Sequence, residues 1–320
     1  MKLPFYPNTQ PPVILPEPSP PLQQCPYLPD EGLQGAVNVA LYLGQPLLLT
    51  GEPGTGKTQL AYHLAAKLGL GEPLKFETKS VSAARDLFYV YDALGRFHAA
   101  QSTKSIPQKR TVDYITYHAL GRAIVLTQPK AEVAPYLPKD FEHDGPKRSV
   151  VLIDEIDKAP RDFPNDILNE VEAMYFRIPE LDNIPIQADR HYKPILIMTS
   201  NSEKHLPDAF LRRCVYYHIP FPDEKRLEKI IDAHLENIMS SPSQQFAEAL
   251  AFFFTLRDPS KGLRKKPSTA ELLNWLNALH GLKESEQFLK ESNIVPTLSL
   301  LAKTEADQKT VQRLFREFVD

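Results

Sequence analysis

Gly51-Glu52-Pro53-Gly54-Thr55-Gly56-Lys57-Thr58 is the stretch that decides how this chain is read. The apolar run Leu47-Leu48-Leu49 precedes it, and Leu60, Leu64 and Leu68 follow at helical spacing, so the octet joins a buried strand to a helix. Gly51, Gly54 and Gly56 permit backbone angles closed to residues with a Cβ. Successive N–H groups can therefore turn toward one anionic group at a helix N-terminus. In that setting Lys57 is placed to reach the outer phosphates of a nucleotide, and the Thr58 hydroxyl to ligate Mg²⁺. The whole octet, Glu52, Pro53 and Thr55 included, is the candidate nucleotide-binding segment. An ordinary glycine-rich turn has no use for Lys57-Thr58.

A loop that holds phosphates need not cleave them, so carboxylates are sought at the ends of neighbouring strands. Ser149 to Ile153 reads as a strand buried on both faces, and Asp154 and Glu155 emerge at its C-terminal end, where open α/β sheets place their ligands. Asp154 is the candidate second Mg²⁺ ligand beside Thr58, and Glu155 the candidate base for an attacking water. A further buried strand, Ile195 to Met198, leads into Thr199-Ser200-Asn201. The neutral Asn201 side chain can hydrogen-bond water or a γ-phosphate without adding negative charge. Arg212 and Arg213 stand just before a fifth strand, Val215 to Ile219, as candidates to stabilise charge on a transferring phosphoryl group.

Around this nucleus the chain falls into three parts. Ten of the 30 prolines lie in residues 1–30, so residues 1–26 read as an extended arm. Residues 27–221 read as an α/β domain. Its first helix starts at Asp30 with Leu33, Val37 and Leu41 on one face and ends before Gly44. A second strand spans 73–79, an insertion falls within about 82–125, one helix runs from about Pro164 to Met174, and a hairpin covers about 176–190. Residues 222–320 carry helical patterns only, at about 223–238, 243–256 and 268–281, with more toward the C-terminus. The expected fold class is therefore α/β: a five-stranded parallel sheet sandwiched by helices, followed by a small all-helical domain.

Composition narrows the function. A net charge of -3 gives no overall field toward nucleic acid or an anionic membrane, and the only basic cluster is Arg257, Lys261, Arg264, Lys265 and Lys266. Two cysteines, Cys25 and Cys214, are too few for a disulfide framework or a zinc site. No apolar run is long enough to span a bilayer and no signal-peptide layout opens the chain, so a cytoplasmic protein is expected.

Taken together, the motifs resemble those of the AAA+ ATPases. Gly51 to Thr58 matches Walker A, Val150 to Glu155 matches Walker B with its glutamate, Asn201 matches sensor 1, and Arg212-Arg213 falls where arginine fingers stand. Within that class the chain looks like the MoxR branch, through Tyr27-Leu28-Pro29-Asp30-Glu31, the insertion with Ala84 to Leu87 and Tyr91 to Phe97, the hairpin before the fourth strand, and Thr199-Ser200-Asn201. The resemblance implies ATP and Mg²⁺ as cofactors and a hexameric ring in which Arg213, or else Arg212, acts on the neighbour's nucleotide. It also implies chaperone-like or maturation work on a protein partner, often one with a von Willebrand A domain. By the same resemblance Tyr27 and Leu28 pack on adenine, and Lys266 or Arg264 takes the sensor 2 position, where the family usually has an arginine. Phe88, Tyr89 and Tyr91 in the insertion are candidates to grip a polypeptide in a central pore, against the commoner role of packing the insertion onto its own domain. Competing readings are a ring acting on nucleic acid, a nucleotide-gated scaffold with little turnover, and a small-molecule kinase.

Overall fold

The computed structural model describes residues 26–101, 109–202, 206–235, 244–281 and 295–319, so all but the last residue of the proline-rich arm lies outside it. Its internal contacts separate two units: Pro29–Gly51 with Lys57–Ile219, and Glu52–Gly56 with the described chain up to Leu28 and from Pro220 onward.

In the first unit, α1 (Glu31–Leu43) begins where the Asp30 side chain accepts from Leu33 N at 2.6 Å, and it ends at Gly44 in the left-handed region, φ 62°. Leu33, Val37 and Ala40 form its buried face; Leu41 stands one position outside it. The chain continues through β1 (Leu47–Gly51), α2 (Lys57–Lys67) and β2 (Leu74–Glu77). The expected insertion within about 82–125 holds β3 (Tyr89–Tyr91), α3 (Ala93–Gln101), β4 (Ile115–Tyr117) and α4 (Ala119–Val125), with β3 and β4 paired antiparallel, and α5 (Lys130–Val133) follows it.

Next come β5 (Val150–Asp154), α6 (Phe163–Asp166), α7 (Leu168–Ala173), β6 (Tyr175–Ile178), β7 (Ile184–Gln187), β8 (Ile195–Thr199), α8 (Asp208–Leu211) and β9 (Val215–Ile219). The single helix expected over 164–174 is thus two short ones. Phe163, Ile167 and Val171 keep helical spacing and are all buried, but Ile167 sits at φ -96°, ψ -1° after Asn165 and Asp166, two weak helix formers. β6 and β7 form the expected hairpin.

The five main strands lie in the order β2-β5-β8-β1-β9, every neighbouring pair parallel. Central β1 is buried throughout and β5 and β8 nearly so, whereas the edge strands β2 and β9 alternate in exposure, which is why the central strands read as unbroken apolar runs. The register sets Leu49 beside Thr199 and Glu77 beside Asp154. Phe88 and Tyr89 are 4% and 1% exposed and pack on Phe176, with ring centroids 5.3 and 6.2 Å away, so of the two roles weighed for them they take the packing one and not the gripping one.

In the second unit the described chain is helical: α9 (Glu224–Leu235), α10 (Gln244–Arg257), α11 (Thr269–Gly281) and α12 (Glu305–Val319), with short 3-10 turns. Its core gathers Phe252, Phe253, Leu256, Trp275, Leu276 and Phe315, and the Trp275 indole N–H donates to Thr297 Oγ1 at 2.9 Å. No described helix is long and apolar enough to cross a membrane.

Candidate nucleotide-binding site

β1 delivers Gly51 at the carboxyl edge of the sheet, and the loop that follows turns through glycines at φ 146° (Gly51), 77° (Gly54) and 88° (Gly56). These angles disfavour any side chain. At Gly54 space forbids one as well, since a Cβ there would lie 2.6 Å from Ser268 Oγ. Thr55 closes the turn by donating from its hydroxyl to Glu52 O at 2.8 Å. At the start of α2, Lys57 is 7% exposed and its Nζ donates to Gly51 O at 2.8 Å.

Three elements then converge on one carboxylate. Thr58 Oγ1 from α2 and Thr199 Oγ1 from the end of β8 both donate to Asp154 Oδ1, at 3.0 and 2.7 Å. Lys75 of β2 reaches Asp154 Oδ2 at 3.2 Å and donates to Glu77 at 2.8 Å. Partial burial works against the Lys75 charge, but hydrogen bonds and attraction from Glu77 and Asp154 outweigh it and hold its pKa above the ordinary lysine value.

Glu155 is the next residue, and it stands in the left-handed region at φ 56°, ψ 52°, an uncommon setting for a side chain of this kind. That turn takes the backbone out of the strand, its N–H donating to Thr199 Oγ1 at 2.9 Å. The Glu155 carboxylate meets Asn201 Nδ2 at 3.3 Å through Oε1 and pairs with the Lys158 ammonium through Oε2. The hydrogen bond to Glu155 raises the Lys158 pKa. Asn201 N donates to Asp157 Oδ1 at 3.2 Å, so Asp157 steadies the segment that carries Asn201.

The residues present fit a magnesium nucleotide. Mg²⁺ prefers hard oxygen donors and binds through one or two protein groups plus water and phosphate oxygens. Thr58 and Asp154 supply two such oxygens in mutual contact, and among the described residues no group of three or more His, Cys, Asp or Glu competes as a metal site. The glycine turn and the buried Lys57 ammonium suit the anionic phosphates.

Sequence reading thus anticipated Lys57, Thr58, Asp154, Glu155 and Asn201, which the fold brings together, and missed Lys75, Lys158 and the double role of Thr199. A lysine on an edge strand carries no local signal; only the β2–β5 register reveals it. Among the described residues, Arg213 donates to Glu172 Oε2 at 2.8 Å and to Ala209 O, not to Asp154 or Glu155; Arg212 caps α8 and is exposed. In the second unit, Lys266 is exposed and the backbone N–H groups of Arg264 and Lys265 are held by Asp307. Arg257, missed as a site candidate, donates to Glu52 Oε2 at 2.7 Å and to Pro267 O while its guanidinium lies 3.3 Å from the Phe221 ring centroid. Tyr27 is half-buried and Leu28 is 41% exposed.

A parallel five-stranded sheet with a glycine loop after β1 and an Asp-Glu pair after β5 defines a P-loop nucleoside-triphosphatase fold. The profile of the ATPase family associated with various cellular activities (AAA) matches residues 47–222, more than half of the chain, and the chain belongs to that family. A chain from a solved structure titled "Structural Basis for Katanin Self-Assembly" is similar at 16% identity and a TM-score of 0.39, over 88% of this chain and 81% of that one. No curated protein matches the sequence.

Proposed function

We propose that this chain is an ATPase of the MoxR type that hydrolyses Mg-ATP in a hexameric ring and uses the cycle to remodel or mature a protein partner, a von Willebrand A protein being the candidate class. The observation that supports the hydrolytic part is the contact chain Thr58–Asp154–Thr199–Glu155–Asn201, in which the two proposed metal ligands adjoin the proposed base. Lys57 holds the outer phosphates, and Thr58 and Asp154 hold the metal. Bound Mg²⁺ would neutralise charge on the phosphate oxygens. Glu155 takes a proton from water as the water oxygen bonds to the γ-phosphorus and the bond to the β-phosphate oxygen breaks, giving ADP and phosphate. Asn201 orients Glu155 or that water. To act as base, Glu155 must first leave Lys158.

Arg213, with Arg212 as the alternative, serves the nucleotide of the next subunit in the ring. Tyr27 and Leu28 are proposed for the adenine, and Lys266 for contact with phosphate. The domain division proposed is an arm over 1–26, a nucleotide-binding domain over 27–221 and a helical lid over 222–320. Lys57→Ala and Glu155→Gln test the core of the reading. The first should abolish binding of a fluorescent ATP analogue, and the second should bind it and release no phosphate. Wild-type phosphate release from Glu155→Gln would remove the base from the mechanism.

A further inference from the structure

Asp154, the candidate metal ligand beside Thr58, already has its second oxygen facing a cation. β2 and β5 run parallel with Lys75 beside Leu152 and Glu77 beside Asp154, so Lys75, Glu77 and Asp154 project from one face of the sheet. Two carboxylates in register repel one another. The Lys75 ammonium resolves this by reaching both, at 2.8 Å to Glu77 Oε1 and 3.2 Å to Asp154 Oδ2. Its side chain is 27% exposed and that of Asp154 only 14%, so solvent screens the contact with Asp154 incompletely. Thr58 and Thr199 meanwhile occupy Oδ1. Both Asp154 oxygens therefore have partners within the protein.

We propose that Lys75 is a positioning residue that acts as a resident counter-cation: it holds Asp154 in the nucleotide-free protein, gives up Oδ2 when Mg²⁺ enters, and is retained by Glu77. The exchange sets how much Mg²⁺ is needed for tight nucleotide binding. It rests on the reading of Asp154 as a metal ligand. Glu77 matters because it gives the displaced ammonium a partner at no cost in reach. Without it the lysine stays on Asp154.

The test measures the Mg²⁺ concentration for half-maximal binding of a fluorescent ADP analogue, alongside affinity for the same probe in EDTA. Lys75→Met should lower the Mg²⁺ midpoint about 3- to 10-fold and leave the EDTA affinity within about 2-fold, since the variant removes a competitor for Asp154 and touches no phosphate. Lys75→Arg should stay near wild type. Glu77→Gln should raise the midpoint, and that rise should vanish in the Lys75→Met background. Circular dichroism melts of each variant confirm a folded protein before titration. An unchanged midpoint in folded Lys75→Met overturns the inference, as does an equal change with and without Mg²⁺, or a Glu77→Gln rise that survives loss of Lys75. If wild type itself binds no Mg-nucleotide, the nucleotide-site reading fails first and takes the inference with it; if wild type binds normally, only the role of Lys75 is at stake.

Discussion

Thr199 shows how much one hydroxyl can organise. It is 1% exposed, donates to Asp154 and accepts from the backbone of Glu155, so it fixes two adjacent acids whose roles in the proposed reaction differ. Thr199→Val keeps the shape but leaves the part-buried N–H of Glu155 without this acceptor and removes a donor from a carboxylate. The expected cost is about 1–3 kcal/mol, read as a fall in Tm of roughly 2–4 °C per kcal/mol for a domain of this size. An unchanged melting curve would show that Glu155 finds another acceptor. At the same scale, Glu155→Gln should be stabilised by about 2.7 kcal/mol when ATP stands 100-fold above its Kd, and Lys57→Ala should show no ATP-dependent shift in Tm at all. Equal shifts in the two variants would contradict the separation of binding from base.

Among the elements, α4 illustrates packing that no local pattern announces. A Cβ placed on Gly121 would lie 2.0 Å from the carbonyl oxygen of Phe88, so the helix meets the backbone leading into β3 with no room for a methyl. Alanine is the better helix former by roughly 1 kcal/mol, yet the overlap with a backbone atom cannot be relieved by a rotamer change and overpacking costs about 1–3 kcal/mol or more. Gly121→Ala is therefore expected to destabilise, and urea titration gives the sign directly. The first helix offers the opposite case, legible in advance: Asp30→Ala removes the cap of α1 and the partner of the Tyr217 hydroxyl at 2.5 Å, and should cost about 0.5–2 kcal/mol.

For the whole molecule, the proposed assembly makes a prediction that a monomer cannot mimic. An arginine acting in trans requires a head-to-tail interface that closes into a ring. Arg213→Ala should bind ATP yet lose most turnover, and mixing it with Lys57→Ala subunits should restore part of it, because some interfaces then pair an intact loop with an intact arginine. Phosphate release from verified mixed rings is the measurement. No recovery would count against a finger in trans, and recovery with Arg212→Ala but not Arg213→Ala would move the role. Light scattering should also show larger particles with Mg-ATP than without.

The sequence by itself determined the parallel sheet, the glycine loop and the Asp154-Glu155 pair, because each is a local rule: central strands buried on both faces read as apolar runs, positive φ demands glycine, and chemistry sits where strands end. The caps of α1 at Asp30 and Gly44 were legible for the same reason. Tertiary structure alone decided what depends on neighbours far along the chain. Whether Phe88 and Tyr89 pack or grip is settled only by Phe176, which covers them. The helix after β5 breaks at Ile167 although its apolar spacing is unbroken, after Asn165 and Asp166, two weak helix formers. Lys75 gains its place beside Asp154 only through the register of two parallel strands more than 70 residues apart. Register is set by the hydrogen-bonded pairing of whole strands, and no window of sequence around Lys75 contains it.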